Sequence, residues 1–491
     1  KLLAKDESTR YQHADDVCAD LKALLTGLNS TGRGKGLAAP ERTASIAVLP
    51  FINMSPDREN EYFSDGITED IIAQLAKIRN LRVISRTSIM RYKNTEKGIR
   101  EIGRELNVTT ILEGSVRKSE DRVRIVCQLV GVDTDQHIWA ETYDRQLKDV
   151  FDIQSDIAQR IVNVLKTTIS PSDRERLQKI PTSNMDAYSL YLLGRFHWNR
   201  RTKDGLEKAI QSFDQSIELD PDYALAYAGL AESYVLLPWY GHWLPADAVP
   251  LARDAALKAL DLDPYLGEAF TSLGAIKNWY DRDWPAAKVD FMRAIELSPN
   301  HATAHHWFGF FLTNRGHFKE GLVELRVALG LDPLSHIIYA NYADALYFDR
   351  QLDAAINQYR RGIEIDPSFS YLHEGLGKAY LLAGMYEQAI ETLGRAGRGE
   401  ITMALCALGR DDDARSRVRQ LEQSAGGDWI NITNRAMAYL GIGDKKGAIE
   451  LLKQADKLGA PWFMERIKVE PYFDSLRSDS RFQELLGKYG A

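Results

Sequence analysis

The sequence predicts an α/β domain followed by an all-α superhelix of helical repeats, in a multidomain chain of 491 residues. Two observations lead to this prediction. Between residues 44 and 170, short apolar runs alternate with amphipathic stretches, which is typical of a sheet covered by helices. After residue 185, an Asp-Pro or Ser-Pro pair recurs with a period close to 34 residues, which indicates stacked helix–turn–helix units. The prolines of these pairs are Pro221, Pro264, Pro299, Pro333 and Pro367.

The first 43 residues are predicted to lie outside both regions. Residues 1–28 carry leucines at helical spacing, and residues 29–43 are rich in glycine and serine, which favours a flexible linker. The sequence begins with Lys1 rather than Met. We therefore expect a fragment or a processed piece of a longer protein, in which a part upstream of Lys1 could hold the main activity.

Strands and helices alternate through residues 44–170. A buried-type strand at 46–49 precedes a helix with one apolar stripe, and three later strands separated by polar turns predict an antiparallel meander. In the middle strand of the meander apolar residues alternate with polar ones, so one face is expected to be buried. The other predicted elements are a strand at 81–85, a helix at 98–106, the meander strands at 110–117, 122–132 and 137–143, and a closing helix at 147–168.

The repeats are predicted to occupy residues 185–396. Small residues such as Gly274, Gly309 and Gly377 stand where the two helices of one repeat must touch. The first proline spacing is about nine residues longer than the others, and we place this insertion at 237–245. The period weakens after Gly394, so residues 397–491 are predicted to form degenerate helical repeats and a C-terminal cap.

Composition excludes several classes of protein. The 62 Lys and Arg against 69 Asp and Glu give a net charge of −7, which argues against a general nucleic-acid binder. Three widely separated cysteines exclude a disulfide framework and favour a reducing compartment. No apolar run approaches the roughly 18 residues of a membrane span. We expect a cytoplasmic chain that has no membrane span and does not bind nucleic acid.

Two stretches resemble known families. The units from Tyr188 to about Ala396 resemble tetratricopeptide repeats. Residues 44–170 resemble the TolB amino-terminal-like domain of bacterial signalling proteins, a resemblance that implies a position after a kinase, a cyclase or a DNA-binding winged helix. The motifs that carry it are Ser45–Phe51 (SIAVLPF), Tyr62–Glu69 (YFSDGITE), Val83–Ser88 (VISRTS), Leu112–Arg117 (LEGSVR) and Trp139–Arg145 (WAETYDR).

A third resemblance concerns the N-terminus. Lys5–Ala14 (KDESTRYQHA), followed by Asp20 and Leu21, looks like the last helices of a Ser/Thr protein kinase domain. The resemblance implies that Arg10 is the arginine that pairs with a glutamate near the activation segment. It also implies that the catalytic part of a parent kinase lies upstream of Lys1.

The chain itself carries no motif for catalysis. The glycine-rich loop, the His-Arg-Asp and the Asp-Phe-Gly of kinases are absent from the sequence. Asp65 and Glu69 stand one helical turn apart, but at the start of a helix such charges complement its N-terminus. His301 and His305 have a spacing that suits a metal ion, yet helix packing is the favoured interpretation. We expect no catalytic residue, no cofactor and no metal ion.

The groove formed by the first helices of the repeats is the predicted partner site, because such concave surfaces bind peptides. Aromatic anchors with a few polar groups suit such an interface, although packing between repeats is an equal alternative for the aromatic residues. The aromatic insertion is a second candidate surface. The candidate residues are Trp307, Phe310, Asn341, Asp344, Tyr347, Tyr371 and Lys378 in the groove, and Trp239, Tyr240 and Trp243 in the insertion.

These observations favour a protein-interaction scaffold that forms the regulatory C-terminal part of a bacterial signalling protein. The groove would bind a protein or peptide partner. The alternatives are a Ser/Thr protein kinase as the full-length parent, or a parent of the cyclase or transcription-regulator type.

Overall fold

The sheet of the α/β domain has the order β3-β1-β4-β5-β6. The computed structural model describes residues 44–55, 60–167, 171–177, 179–423, 429–458 and 466–488, so the predictions for residues 1–43 lie outside the described residues. Strand β1 runs parallel to β3 and β4, β4 to β6 form an antiparallel meander, and β2 pairs with the far part of β4. The strands are β1 Ser45–Val48, β2 Ile52–Asn53, β3 Arg82–Val83, β4 Thr110–Ser119, β5 Arg122–Gly131 and β6 Gln136–Gln146.

Helices cover this sheet as the apolar stripes predict. Along β5, Val123, Ile125, Cys127 and Leu129 are fully buried, while Arg122, Arg124, Val126 and Gln128 are exposed or part-buried. This confirms the predicted alternation, and a single apolar core joins the sheet to the helices. The helices are α1 Glu61–Ala76, α2 Arg86–Ile89, α3 Ile99–Glu105, α4 Val150–Val164 and α5 Pro171–Leu177, with 3₁₀ turns at Met90–Tyr92 and Leu147–Asp149.

The rest of the described chain is helical and forms a series of hairpins, which confirms the predicted fold class. Consecutive helices pack in pairs, and each pair packs on the next. The helices are α6 Met185–Trp198, α7 Lys203–Leu219, α8 Ala224–Trp239, α9 Pro245–Leu262, α10 Gly267–Ile276, α11 Trp284–Leu297, α12 Ala302–Asn314, α13 Phe318–Leu331, α14 His336–Phe348, α15 Leu352–Ile365, α16 Ser370–Leu382, α17 Tyr386–Arg395, α18 Ile401–Ala407, α19 Asp411–Gln423, α20 Trp429–Gly441 and α21 Lys445–Lys457, with a π turn at Lys277–Asp281.

Close packing within a repeat requires the predicted small residues. A Cβ on Gly309 would lie 2.7 Å from the Leu325 side chain of the second helix of the same repeat. Two helices can approach this closely only where one of them carries no side chain. The small residue and the bulky residue therefore form a matched pair.

The extra residues of the second repeat are mainly helical, and they extend beyond the predicted insertion at 237–245. Helix α8 continues to Trp239, and α9 has 18 residues where α11, α13 and α15 have 14. The connection at 240–244 is correspondingly short. The local reason is Pro245 at the first position of α9, where a proline is compatible with a helix N-terminus.

The α/β domain is docked on the repeats along the turns that join one repeat to the next. The backbone N–H of Ser85 donates to Leu331 O at 2.7 Å, and Asn300 donates to Ile78 O at 3.0 Å. Helix α1 also packs directly on α6, where a Cβ on Gly66 would lie 2.7 Å from Leu192. The docking thus joins backbone contacts to close helix packing.

The chain ends with a segment that returns to the repeats. It comprises a helical turn at Arg466, a 3₁₀ helix at Pro471–Leu476 and helix α22 at Ser480–Gly487. Ile467, Phe473 and Leu476 are fully buried, in a cluster with residues of α20 and α21. The last repeat is therefore capped by apolar contacts.

Candidate functional site

Most of the predicted groove residues lie together, but they are covered. Phe310, Asn341, Asp344 and Tyr347 are each exposed by 7% or less. Trp307, Tyr371 and Lys378 are half-buried. The expectation that these side chains line an open surface is thus not met in this conformation, and their role as contacts to a partner remains a prediction.

The groove is covered by residues 466–476, which we call the C-terminal segment. One side of the segment carries the apolar residues that pack on the last repeat, and the other side carries Arg466, Val469, Glu470 and Tyr472 into the groove. This segment was not among the predicted groove residues. Its charged and aromatic residues have no periodicity, so no local signal identifies what they contact.

Arg466 enters a pocket built by one carboxylate and three aromatic rings. Its Nη1 lies 2.9 Å from Asp344 Oδ2, and it also donates a hydrogen bond to the Tyr371 hydroxyl. The guanidinium carbon lies 5.1 Å from the ring centre of Phe310, 5.5 Å from that of Tyr371 and 5.9 Å from that of Phe348. Ion pairing and cation–π contacts therefore act on the same group.

Asp344 is held in place from within the repeats. The Tyr359 hydroxyl donates to its Oδ1 at 2.6 Å, and the Tyr371 hydroxyl donates to its Oδ2. Both tyrosines come from neighbouring helices, α15 and α16. The carboxylate is thus oriented by the fold, and it presents its remaining hydrogen-bonding capacity to the groove.

Glu470 and Tyr472 occupy the adjoining part of the groove. Tyr347 hydrogen-bonds to Glu470, and burial raises the pKa of this carboxyl although Lys378 partly opposes the effect. The ammonium of Lys378 lies 5.5 Å from the Tyr472 ring centre and 3.5 Å from Glu400 Oε1. Five predicted groove residues thus contact the chain's own C-terminal segment: Phe310, Asp344, Tyr347, Tyr371 and Lys378.

Two of the aromatic residues of the insertion, Trp239 and Trp243, pack against other rings, and the third, Tyr240, is exposed. Trp239 stacks on Trp279, with ring centres 4.3 Å apart, and Trp279 in turn contacts Trp307 at 5.0 Å. Trp243 packs on Tyr234 at 5.9 Å. Tyr240, at 44% exposure, is the open member of the predicted insertion set.

A second group of charged residues lies between α1 and the first repeats. Glu69 Oε1 accepts from Arg195 Nη2 at 2.7 Å, and Oε2 lies 3.0 Å from Arg86 Nε. Arg195 also pairs with Glu232 of α8 at 2.6 Å. Burial by itself would raise the pKa of Glu69, but the two arginines outweigh it and hold this pKa below its ordinary value.

The interpretation of Asp65 and Glu69 as helix N-terminal charges is wrong. Helix α1 begins at Glu61, so both residues lie inside it rather than in its first turn. Asp65 pairs with Lys93 at 2.7 Å, and Glu69 pairs with the two arginines. These carboxylates serve tertiary ion pairs that local spacing could not identify.

A cavity of about 310 Å³ adjoins this charged group. Asp70 lies on its wall, where it accepts hydrogen bonds from the Tyr188 hydroxyl and from Gln154 Nε2 at 3.1 Å. Burial raises the pKa of Asp70 to about 7. This carboxyl group therefore changes its protonation state near neutral pH.

The histidines serve helix packing. His305 Nδ1 lies 2.6 Å from Glu324 Oε2, and His306 Nε2 lies 2.7 Å from Asn341 Nδ2. Burial lowers the pKa of His306 to about 4, so it is neutral at pH 7. Within the part of the chain that the structure describes, no group of three or more His, Cys, Asp or Glu is arranged to hold a metal ion.

Comparison with known families shows that the helical array contains tetratricopeptide repeats. Residues 343–384 match the family described as TPR repeat. Residues 42–162 match the family described as HilA/YgeH-like transcriptional regulator, second domain. The resemblance of the same region to the TolB family stays a prediction.

Two curated relatives have different named activities. The chain is 37% identical over 240 residues to "Putative adenylate cyclase 3" of Rhizobium meliloti, a match that covers 48% of this chain and 41% of the relative. It is 26% identical over 200 residues to the transcriptional regulator HilA of Salmonella typhimurium, which covers 41% of this chain and 36% of the relative. The chain thus spans about two fifths of the length of these relatives.

Solved repeat proteins resemble parts of this chain at low sequence identity and low TM-score. YrrB, described as a TPR protein with an unusual peptide-binding site, is 24% identical and covers 38% of this chain and 90% of its own, with a TM-score of 0.27. A thermophilic TPR protein of Thermus thermophilus is 18% identical and covers 40% and 99%, with a TM-score of 0.34. Among the described residues, none of the helices combines the length and apolarity that crossing a membrane requires.

Proposed function

We propose that this chain is the regulatory, partner-binding part of a bacterial signalling protein. Its tetratricopeptide groove would hold a protein or peptide partner, and the α/β domain would connect the repeats to an output domain elsewhere in the protein. The observation that carries the proposal is the seating of the C-terminal segment. A stretch of polypeptide already lies in the groove through an arginine, a glutamate and a tyrosine, as a bound peptide would.

The relatives support a regulatory rather than a catalytic role. A protein named as a putative cyclase and another named as a transcriptional regulator each align with this chain over 200 or more residues. A chain that aligns with proteins of such different named activity suits control of an output better than the output itself. We therefore propose a cyclase or a transcription regulator as the output domain, with the Ser/Thr kinase suggested by Lys5–Ala14 as the alternative.

Site-specific photo-crosslinking of the full chain in its own bacterium tests the partner site. A photoreactive phenylalanine analogue at Trp307 or at Lys378 should form an adduct with the same partner protein, because both side chains are half-buried at the groove. Met292 and Val323, exposed by 53% and 56% on second helices, are the matched control positions. Equal adducts at all four positions would contradict a groove site.

A double variant measures the contribution of the groove. Trp307→Ala combined with Lys378→Ala should abolish co-purification of the partner that the cross-links identify, while the helical circular dichroism is retained. Tyr347 is unsuitable for this purpose, since it is only 3% exposed and its truncation would open the core. Unchanged recovery would move the site to the surface around Tyr240.

A further inference from the structure

The groove-facing side of the C-terminal segment fits imperfectly. Arg466 Nε, Glu470 Oε1 and Tyr472 Oη are buried without a hydrogen-bond partner among the described residues. Each buried polar atom that lacks a partner weakens binding, because it has lost its contact with water. These unpaired atoms weaken the hold of the segment on the groove, so a competing peptide has less binding free energy to overcome.

The pocket around Asp344 is specific for a cation. Arg466 forms the ion pair with Asp344. The pocket needs such a cation, because a buried carboxylate is unfavourable unless it is paired. Two tyrosine hydroxyls orient the carboxylate, and three aromatic rings surround the position of the guanidinium. A planar guanidinium suits such a site better than an ammonium group, because it stacks on rings and donates in a fixed geometry.

We propose that this pocket reads an arginine of a partner peptide, and that Arg466 is an internal ligand which the partner displaces. The proposal rests on the function proposed above. It names the partner's chemistry: an arginine followed four residues later by an acidic residue, with an aromatic residue two positions beyond. This is the spacing of Arg466, Glu470 and Tyr472, and the backbone N–H of Glu470 bonds to Arg466 O at 2.9 Å, so the first two project from one helical turn.

Displacement does not require the cap to unfold. Ile467, Phe473 and Leu476 pack with α20 and α21 rather than with the groove. The contacts to the groove are mainly charged or polar, and water can replace the hydrogen bonds of these groups once the segment lifts out. The apolar side of the segment can therefore keep the chain end close to the groove while the pocket exchanges ligands.

The test uses a fluorescent synthetic peptide with the sequence of residues 466–476, RIKVEPYFDSL, and the full chain. In Arg466→Ala the pocket is vacated, so the peptide should bind about tenfold more tightly than to the unaltered chain, as measured by fluorescence anisotropy. Arg481→Ala is the matched control, because Arg481 belongs to the same chain end but pairs with Asp479 outside the groove. This control should bind the peptide as weakly as the unaltered chain.

One altered peptide and one double variant test whether the pocket recognises the arginine of the peptide. A peptide with alanine in place of its arginine, and the double variant Arg466→Ala with Asp344→Asn, should each lose the gain in affinity. Should Arg466→Ala fail to fold by circular dichroism, Arg466→Lys replaces it and should show a smaller gain, since an ammonium keeps the charge but not the planar fork.

Three results would overturn the proposal. Equal affinity of the peptide for the unaltered chain, Arg466→Ala and Arg481→Ala would show that the pocket is not a ligand site. Equal affinity for the peptides with and without the arginine would show that the pocket does not recognise arginine. A doubled mass in light scattering would assign the groove to the C-terminal segment of a second copy. If the peptide binds Arg466→Ala as expected but no protein is cross-linked at Trp307 or Lys378, the arginine pocket is supported and the proposed protein partner is contradicted.

Discussion

Two buried groups of charged residues fasten different parts of this chain to the repeats, and they differ in how completely they are satisfied. At the α/β docking surface, both oxygens of Glu69 are engaged by Arg86, Arg195 and Asn199, and among the described residues Arg86 Nε is the one buried atom of this group without an aligned hydrogen bond. In the groove, Asp344 is well paired, but polar atoms of Arg466 and of its neighbours in the segment have no partner. We therefore expect the contact between the α/β domain and the repeats to be permanent. The contact between the C-terminal segment and the groove can be displaced by a competing ligand.

The surroundings of the two groups point the same way. Next to Glu69, the Tyr188 ring packs on Phe151 with ring centres 4.7 Å apart, and backbone hydrogen bonds tie the domain to the turns between repeats. The groove side of the C-terminal segment has Val469 as its fully apolar contribution. Apolar burial gives permanence, while isolated charged contacts mainly give specificity.

The largest effect is expected from Glu69→Ala. It would leave Arg86 and Arg195 buried without their shared carboxylate, so the free energy of unfolding should fall by about 3–5 kcal/mol. Urea denaturation followed by tryptophan fluorescence measures this loss. Glu101→Ala, in an exposed pair with Lys97, is the control and should change little. Equal losses in both variants would remove the distinction between a permanent contact and a surface pair.

The docking surface should also show a characteristic pH dependence. The pKa of Asp70 is raised to about 7, so between about pH 4 and 7 the folded protein binds a proton that the unfolded chain does not. The contribution of Asp70 to stability is therefore greatest near pH 4 and falls as the pH rises towards 7, by about 1.4 kcal/mol per pH unit at most.

His306 opposes this trend. Its pKa is lowered to about 4, so its contribution to stability rises with pH up to the ordinary histidine range. In Asp70→Asn the free energy of unfolding should therefore rise more between pH 4 and pH 7 than it does in the unaltered chain. In His306→Gln it should rise less over the same range. Identical pH profiles for these two variants would contradict both assignments.

Gly66→Ala tests the close packing of α1 on α6. The added methyl group would lie 2.7 Å from Leu192, and we expect a loss of about 1–3 kcal/mol in thermal or urea unfolding. Gly330→Ala is the matched control at the same docking surface, because a Cβ there meets nothing within 4 Å. The control should be neutral or stabilising, since alanine favours the helix.

The smallest change in global stability is expected from Arg466→Ala, about 1–2 kcal/mol, because the segment can lift out and let water reach Asp344. Its main effect should be local: faster hydrogen exchange of the backbone amides of residues 466–472 than in Arg481→Ala. A global loss as large as that of Glu69→Ala would make the two contacts equivalent and would count against an exchangeable segment.

Local patterns predicted the elements well and their partners poorly. The alternation along β5 and the glycines of the repeats are confirmed, because period and side-chain size act between near neighbours. The groove residue Asp344 was placed on an open surface, yet it is covered by Arg466, which is 122 positions later in the chain. Glu69 was assigned to a helix N-terminus, yet its partner Arg195 lies in the next domain.

The amino-acid sequence by itself determined that this chain is an α/β domain joined to tetratricopeptide repeats, since hydrophobic periods of 2, 3.6 and about 34 residues act through nearest neighbours. Only the tertiary structure decided which charges meet and whether the groove is open. Those outcomes depend on contacts between segments that are distant in the sequence. The role of Arg466, for example, follows from the carboxylate and the aromatic rings that the fold brings together around it.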